Sequence, residues 1–229
     1  MASLPRGTGE GKAAWFCPNP CAAPTAVTIP RVGWRRAANA VTAIDMLRLS
    51  LLLTCLAAPA GAFILDGNIL RQTGNGAFVK LDPTTGFAVG ADTFDDDNLY
   101  GFDEDQNITL IEPIRVDIGG CINGHIAAGT VVASHYIFFD SISGVQAGFV
   151  DFDAPILGIA AYQDTMAATD YLANTDVHYI SLELRGLEDG DAAWIDPQLP
   201  SRLWVRWAGS SPGDYIRVFT AESPGAMLF

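Results

Sequence analysis

Basic residues are scarce over most of this chain. From residue 63 onward, seven Lys and Arg residues face 24 Asp and Glu residues, which gives a net charge of −17. A chain this anionic repels phosphate backbones and acidic lipid, so we expect neither nucleic-acid binding nor polybasic membrane attachment. Cysteine is also scarce there, because Cys121 is the only one after Cys55. We therefore expect no internal disulfide in that part of the chain.

The sequence lacks an apolar run of the roughly 20 residues that a membrane span needs. Its longest run, about a dozen residues beginning near Leu49, follows Arg48 and closes on Ala60-Gly61-Ala62. One cation, a short apolar segment and a small-x-small site are the parts of a secretory signal peptide. We predict that residues 46–62 are this signal, and that a secreted or periplasmic chain without a membrane span begins at Phe63.

Residues 1–45 conflict with that interpretation, because they precede the signal and a signal peptide is recognised at a nascent amino terminus. We interpret them as a mis-assigned or disordered extension, with Met46 as the initiator. The remaining 167 residues, 63–229, suit one domain with a substantial core.

Sustained helical periodicity is absent after Ala62, whereas short β-branched and aromatic runs recur between Gly, Pro, Asn and Asp clusters. This pattern predicts an all-β, antiparallel β-sandwich of jelly-roll-like type. Residues 167–174 are the exception and fit a short helix or a loop equally well. The predicted strands are 77–81, 99–103, 108–117, 130–140, 146–152, 156–162, 192–196, 202–208 and 215–221.

The densest functional signal is an acidic run at residues 92–107, with seven carboxylates in sixteen residues. Oxygen ligands at this density are typical of Ca²⁺ sites, which take six to eight oxygens. The run is not an EF-hand, because Ile108 and Ile114 occupy the positions of the required Gly and Glu. A solvated loop that protects a sheet edge is the alternative. The predicted calcium ligands are Asp95, Asp97, Asp103, Asp105 and Asn107.

Complete catalytic motifs are lacking. The segment 209–213 matches G-x-S-x-G, but Pro212 has no N–H for an oxyanion hole and a strand is predicted to follow. His135 lies in an apolar strand, where a hydrogen-bonded core histidine is more typical than a metal ligand. Glu104 and Glu112 are an example of a carboxylate pair that a glycoside hydrolase would use.

Aromatic residues offer a binding function instead. Trp194, Trp204 and Trp207 are candidates for a sugar-stacking surface, although strand alternation places Trp207 on the opposite face from Trp204. We expect an exposed Tyr100 or Trp204 to contact the ligand.

Six blocks after residue 92 form a recognisable set, namely FDEDQNI at 102–108, AGT at 128–130, SHYIFFD at 134–140, FDAPILG at 152–158, RGLE at 185–188 and SSPGDYIRV at 210–218. Together they resemble exported bacterial proteins of the PEP-CTERM sorting class. The resemblance implies a Gram-negative envelope setting and an association with extracellular polysaccharide, but no activity. Such proteins usually finish with a Pro-Glu-Pro signal, an apolar helix and a basic tail, whereas this sequence finishes with ESPGAMLF, so anchoring by that route is not implied.

Together these features predict a secreted, non-enzymatic β-sandwich of the cell surface or matrix that binds extracellular polysaccharide with Ca²⁺ assistance. A secreted carbohydrate-active hydrolase with two carboxylates is one alternative, and a purely structural envelope protein is another.

Overall fold

Strands dominate the computed structural model, which describes residues 63–208 and 213–222. They accompany one short α-helix, α1 (Gln163–Ala168), and three single 3₁₀ turns. No helix in the described residues is long and apolar enough to cross a membrane. The strands are β1 (Ile64–Gln72), β2 (Phe78–Lys80), β3 (Ala88–Val89), β4 (Leu99–Asp103), β5 (Ile108–Thr109), β6 (Ile114–Arg115), β7 (Ile118–Gly119), β8 (His125–Ile126), β9 (Val131–Phe139), β10 (Gln146–Phe152), β11 (Ile156–Ala160), β12 (His178–Tyr179), β13 (Ala192–Ile195), β14 (Arg202–Trp207) and β15 (Asp214–Ala221).

Two sheets make up the sandwich. The smaller has the order β1-β10-β14-β13, and the larger has the order β2-β4-β9-β15-β11-β7 with β5 beside β9. Most pairings are antiparallel, as expected, but β2 and β4 run parallel, and so do β3 and β12. The all-β prediction is confirmed, while the parallel pairs and the unequal sheets go beyond the jelly-roll-like expectation.

Strand β9 lies at the centre because both of its faces are apolar. Ile137 and Phe139 pack into a core shared with Val150 and Leu203 of the smaller sheet. Tyr136 and Phe138 face the other way, into a second core. The sequence of a strand that is covered on both faces is a nearly continuous apolar run, and residues 130–140 have this pattern.

The second core is closed by connecting segments. Met166 in α1, together with Leu172 and Val177 after it, packs against the outer face of the larger sheet. One face of the smaller sheet packs on the first core through Val150, Leu203 and neighbouring residues. Its other face carries partly exposed side chains, and the candidate site lies there.

The predicted boundaries hold for β4 and β10, but the predicted strand 108–117 is divided into the short strands β5 and β6. Strand β1 was not predicted, and α1 begins at Gln163 rather than at residue 167. The predicted extension 1–45, the signal peptide 46–62 and residues 209–212 of the rejected serine motif lie outside the described residues.

Candidate functional site

The acidic run is held by hydrogen bonds within the protein. The Asp96 carboxylate accepts from the Tyr100 hydroxyl at 2.6 Å and from both the backbone and side-chain nitrogens of Asn98. Burial and the bond to Asp96 raise the pKa of Tyr100 to about 12. Tyr100 is only 6% exposed, so the expectation that it lies open to a ligand is wrong. The reason is that β4 lies between β2 and β9 and is covered.

Asp103 is committed to three donors. Its carboxylate lies 2.7 Å from Lys80 Nζ, accepts from His135 Nδ1 at 2.8 Å, and accepts from the Ile64 amide at 3.0 Å. Burial raises the pKa of Asp103, but His135 and the other donors outweigh it and hold that pKa below its usual value. His135 has no exposed surface and its Nε2 bonds Thr220 Oγ1 at 3.0 Å. The prediction of a satisfied core histidine is confirmed.

The other predicted calcium ligands are dispersed. Asp95 and Asn107 adopt left-handed backbone conformations, with φ of 51° and 55°. The Asp97 side chain accepts from the Asn75 amide at 3.3 Å. Burial, followed by Glu104, raises the pKa of Asp105. In the described parts of the chain, no three His, Cys, Asp or Glu side chains are grouped to hold a metal ion.

Glu104 is at the centre of a buried network. Arg217 donates to both of its oxygens, at 2.7 and 2.9 Å, while Ser134 and Tyr179 donate at 2.6 and 2.7 Å. Neither Glu104 nor Arg217 has side-chain exposure. Burial lowers the pKa of Arg217, but the Glu104 carboxylate raises it further, so Arg217 stays charged. These four donors occupy the Glu104 oxygens and fix the carboxylate as part of the core.

The network continues toward α1. Arg217 Nη1 donates to the Met166 carbonyl at 3.0 Å and lies 3.1 Å from Asp170 Oδ1. Arg185 binds the same Asp170 through two bonds of 2.7 and 2.6 Å. The sign of this network in the sequence is Arg217, a single charged residue within the apolar stretch 215–219. Its partner Glu104 is 113 residues away along the chain.

Glu104 and Glu112 do not form a catalytic pair in this arrangement. The Glu104 side chain has no access to solvent, whereas Glu112 lies on an exposed segment. A glycosidase acid must reach the glycosidic oxygen, with its partner on the other side of the bond. A fully buried and occupied carboxylate cannot do so.

The partly exposed face of the smaller sheet carries three aromatic residues in one cross-strand register. Phe149 of β10 lies opposite Trp204 of β14, and Trp204 lies opposite Trp194 of β13. We call Phe149, Trp204 and Trp194 the aromatic row. Residues opposite one another in a sheet point to the same face, so the three rings share one surface. Asn68 of β1 extends the register by pairing with Phe149.

The rings of the aromatic row touch one another. The Trp194 and Trp204 indoles are nearly parallel, at 12°, with centroids 6.1 Å apart, and Phe149 meets Trp204 edge to face at 5.4 Å. Trp194 is 38% exposed, while Trp207 on the opposite face is 1% exposed. The prediction that alternation separates Trp204 from Trp207 is confirmed.

Charged side chains contact the rings of the aromatic row. The Arg202 guanidinium lies 3.8 Å from the Phe149 ring centroid and binds Asp151 through two bonds of 2.7 Å. Trp204 Nε1 donates to Asp196 at 2.8 Å. That bond, followed by two backbone amides, lowers the pKa of Asp196. With Arg202 and Asp196 fixing their orientation, Phe149 and Trp204 form a pre-arranged surface.

Comparison of the chain with protein-family models, with curated proteins and with solved structures found no match. The geometry of the described residues therefore carries the functional argument. Sequence reasoning found Trp204 but missed Phe149, because the pairing that joins β10 to β14 links residues 55 positions apart.

Proposed function

We propose that the protein is a secreted, non-enzymatic polysaccharide-binding protein of the cell surface or extracellular matrix. The observation that carries the proposal is the near-parallel pair of Trp194 and Trp204, in register with Phe149 on the partly exposed sheet face. Secretion is supported by the apolar run that closes on Ala60-Gly61-Ala62.

Aromatic rows suit sugars for a physical reason. A ring face carries negative electrostatic potential, and the C–H-rich face of a pyranose is its complement. The row crosses three neighbouring strands, which lie about 4.8 Å apart, so it offers an extended surface rather than a closed pocket. Such a surface fits several units of a linear polymer better than one small molecule. The neighbouring Asn68 adds a polar side chain able to bind hydroxyl groups.

The alternatives have less support. A hydrolase that uses Glu104 would need a carboxylate that reaches solvent, and Glu104 does not. Calcium assistance would need oxygens free to converge, whereas Asp103 is bound to Lys80 and His135. A purely structural role gives no reason for a partly exposed aromatic row, since large apolar side chains are ordinarily buried.

The test is affinity electrophoresis of the full chain through gels that contain neutral or acidic polysaccharides, with EDTA present. We expect retardation by at least one polymer. Trp194→Ala and Trp204→Ala should each weaken binding about tenfold, which corresponds to about 1.4 kcal/mol. The matched control is Tyr171→Ala, which removes another exposed aromatic ring from the segment beside the second core.

Two results would contradict the proposal. One is the absence of retardation by every polymer. The other is retardation that the tryptophan variants and Tyr171→Ala affect equally while all of them keep the native melting temperature. Reducing sugar released by the native chain and lost in Glu112→Gln would instead support the hydrolase.

A further inference from the structure

Two arginines flank a small residue immediately beside the aromatic row. Arg71 of β1 lies opposite Ala147 of β10, and Ala147 lies opposite Arg206 of β14. We call Arg71, Ala147 and Arg206 the cationic notch. Ala147 and Arg206 are each two positions from a member of the aromatic row, Phe149 or Trp204. The notch therefore shares the face of the row and lies about 6.8 Å from it along the strands.

A register shift places Arg71 on this face. Asn68 pairs with Phe149 and Arg71 pairs with Ala147. Between these two pairs β1 therefore has one more residue than β10. The extra residue is a β-bulge between Ile69 and Arg71. Bulges re-aim side chains in this way. Without it, alternation would turn Arg71 toward the opposite face.

The cationic notch contains a recess that is large enough for a small chemical group. The Ala147 methyl leaves a recess between the two longer side chains, with a volume of about 230 Å³. Val145, Gly190 and Ala208 also line it.

The charge of the notch is unusual for this chain. Seven basic residues lie in the described segments, and five of them, Lys80, Arg115, Arg185, Arg202 and Arg217, are at ion-pair distance from carboxylates. Arg71 and Arg206 form no ion pair with any described acid, although 24 acids follow residue 62. Both are exposed. Two neighbouring guanidinium groups without a counter-charge repel each other and attract an anion.

We propose that the polysaccharide is a polyuronate, whose carboxylate binds between Arg71 and Arg206 while a neighbouring sugar unit stacks on the aromatic row. A planar carboxylate matches the fork of N–H donors on a guanidinium. Strands β1 and β14 flank β10, so their backbones are about 10 Å apart. Both arginines line the recess beside Ala147, where Arg206 Nη2 also donates to the Gly190 carbonyl at 3.4 Å. This inference rests on the proposed polysaccharide-binding function and names the class of polymer.

The test compares polygalacturonate with the same polymer after its carboxyl groups have been reduced to alcohols, in EDTA, with the full chain. We expect the native chain to bind the polyuronate at least tenfold more tightly. Arg71→Gln with Arg206→Gln should abolish that preference and leave binding of the reduced polymer unchanged. Trp204→Ala should weaken binding of both polymers. The matched control is Arg115→Gln, which removes another exposed arginine and should change neither affinity.

The outcomes separate the two claims. Equal native affinity for the two polymers, or a polyuronate preference that survives the double arginine variant, overturns the polyuronate assignment and leaves the proposed function standing. Equal binding of dextran sulfate and polygalacturonate likewise overturns it, because sulfate lacks the planar carboxylate geometry. Binding of neither polymer, together with no retardation by any other polysaccharide, overturns both claims.

Discussion

The Arg217 guanidinium and the Glu104 carboxylate face each other through two hydrogen bonds of 2.7 and 2.9 Å, and neither side chain is exposed. This pair joins β15 to the turn that follows β4. Ser134 and Tyr179 supply the remaining donors, so the Glu104 carboxylate is hydrogen-bonded entirely by groups inside the protein. The pair therefore stabilises the fold, and it lies on the other side of the sandwich from the aromatic row.

Glu104→Gln should strongly destabilise the fold. The substitution leaves the buried Arg217 with only Asp170, which it shares with Arg185, as a counter-charge. Breaking a buried pair in this way typically costs about 3–5 kcal/mol. Urea unfolding measures the change. The matched control, Glu112→Gln on an exposed segment, should change stability by less than about 0.5 kcal/mol. Equal small effects of the two variants would show that the pair contributes little.

Asp214→Asn should flatten the dependence of stability on pH. Burial, followed by the hydrogen bond with Asp191 and the charges of Asp191 and Glu188, raises the pKa of Asp214 to about 9. An unfolded aspartate titrates near 3.9. Between those values the folded chain holds a proton that the unfolded chain has released, so the contribution of Asp214 to stability falls as pH rises, by at most about 1.4 kcal/mol per pH unit.

Urea unfolding at pH 5 and pH 8 measures this difference. The asparagine variant cannot lose that proton, so it should gain stability relative to the native chain as pH rises. Asp176→Asn, at an exposed position, is the control and should follow the native profile. A native profile parallel to that of Asp214→Asn would contradict the assignment.

Calcium and magnesium should raise the melting temperature equally. Asp103 is already bound to Lys80, His135 and the Ile64 amide, and the described acids form no metal-binding group. Either ion then acts only by screening the net charge of −17 that residues 63–229 carry. Differential scanning fluorimetry measures both shifts. A larger rise with calcium that disappears in Asp103→Asn with Asp105→Asn would restore the calcium prediction.

Export should remove the amino-terminal part of the chain. The short apolar run and the Ala60-Gly61-Ala62 site predict cleavage before Phe63. Edman sequencing of protein recovered from the periplasm or medium of an expressing bacterium should begin at Phe63. Recovery of a mature species that retains residues 1–45 would contradict the signal-peptide interpretation.

Local sequence patterns predicted a strand well where buried and exposed side chains alternate regularly along it. In β10 the buried and partly exposed positions alternate from Gln146 to Phe152, and its bounds were predicted as they stand. Strand β1 escaped prediction because Asp66-Gly67-Asn68 has turn composition. In the structure this segment pairs with β10, and the polar side chains Asp66 and Asn68 are exposed.

The candidate site was less predictable than the fold. Trp204 could be assigned to a face by alternation alone, but the aromatic row requires the register of three strands between residues 149 and 204. The cationic notch also requires the bulge in β1. Pairing of distant strands and bulges leave no local signal in the sequence. For the same reason, the hydrogen bonds that occupy Asp96 and Asp103 were not visible in the acidic run.

The most direct test of polysaccharide binding by the aromatic row is a titration of the ¹⁵N-labelled full chain with soluble oligogalacturonate, followed by NMR of the tryptophan indole signals. Single Trp→Phe variants assign the signals. The account predicts that the Trp194 and Trp204 signals shift together along one saturable curve, while those of Trp15 and Trp34 stay in place. Saturable binding that leaves Trp194 and Trp204 unshifted would contradict it.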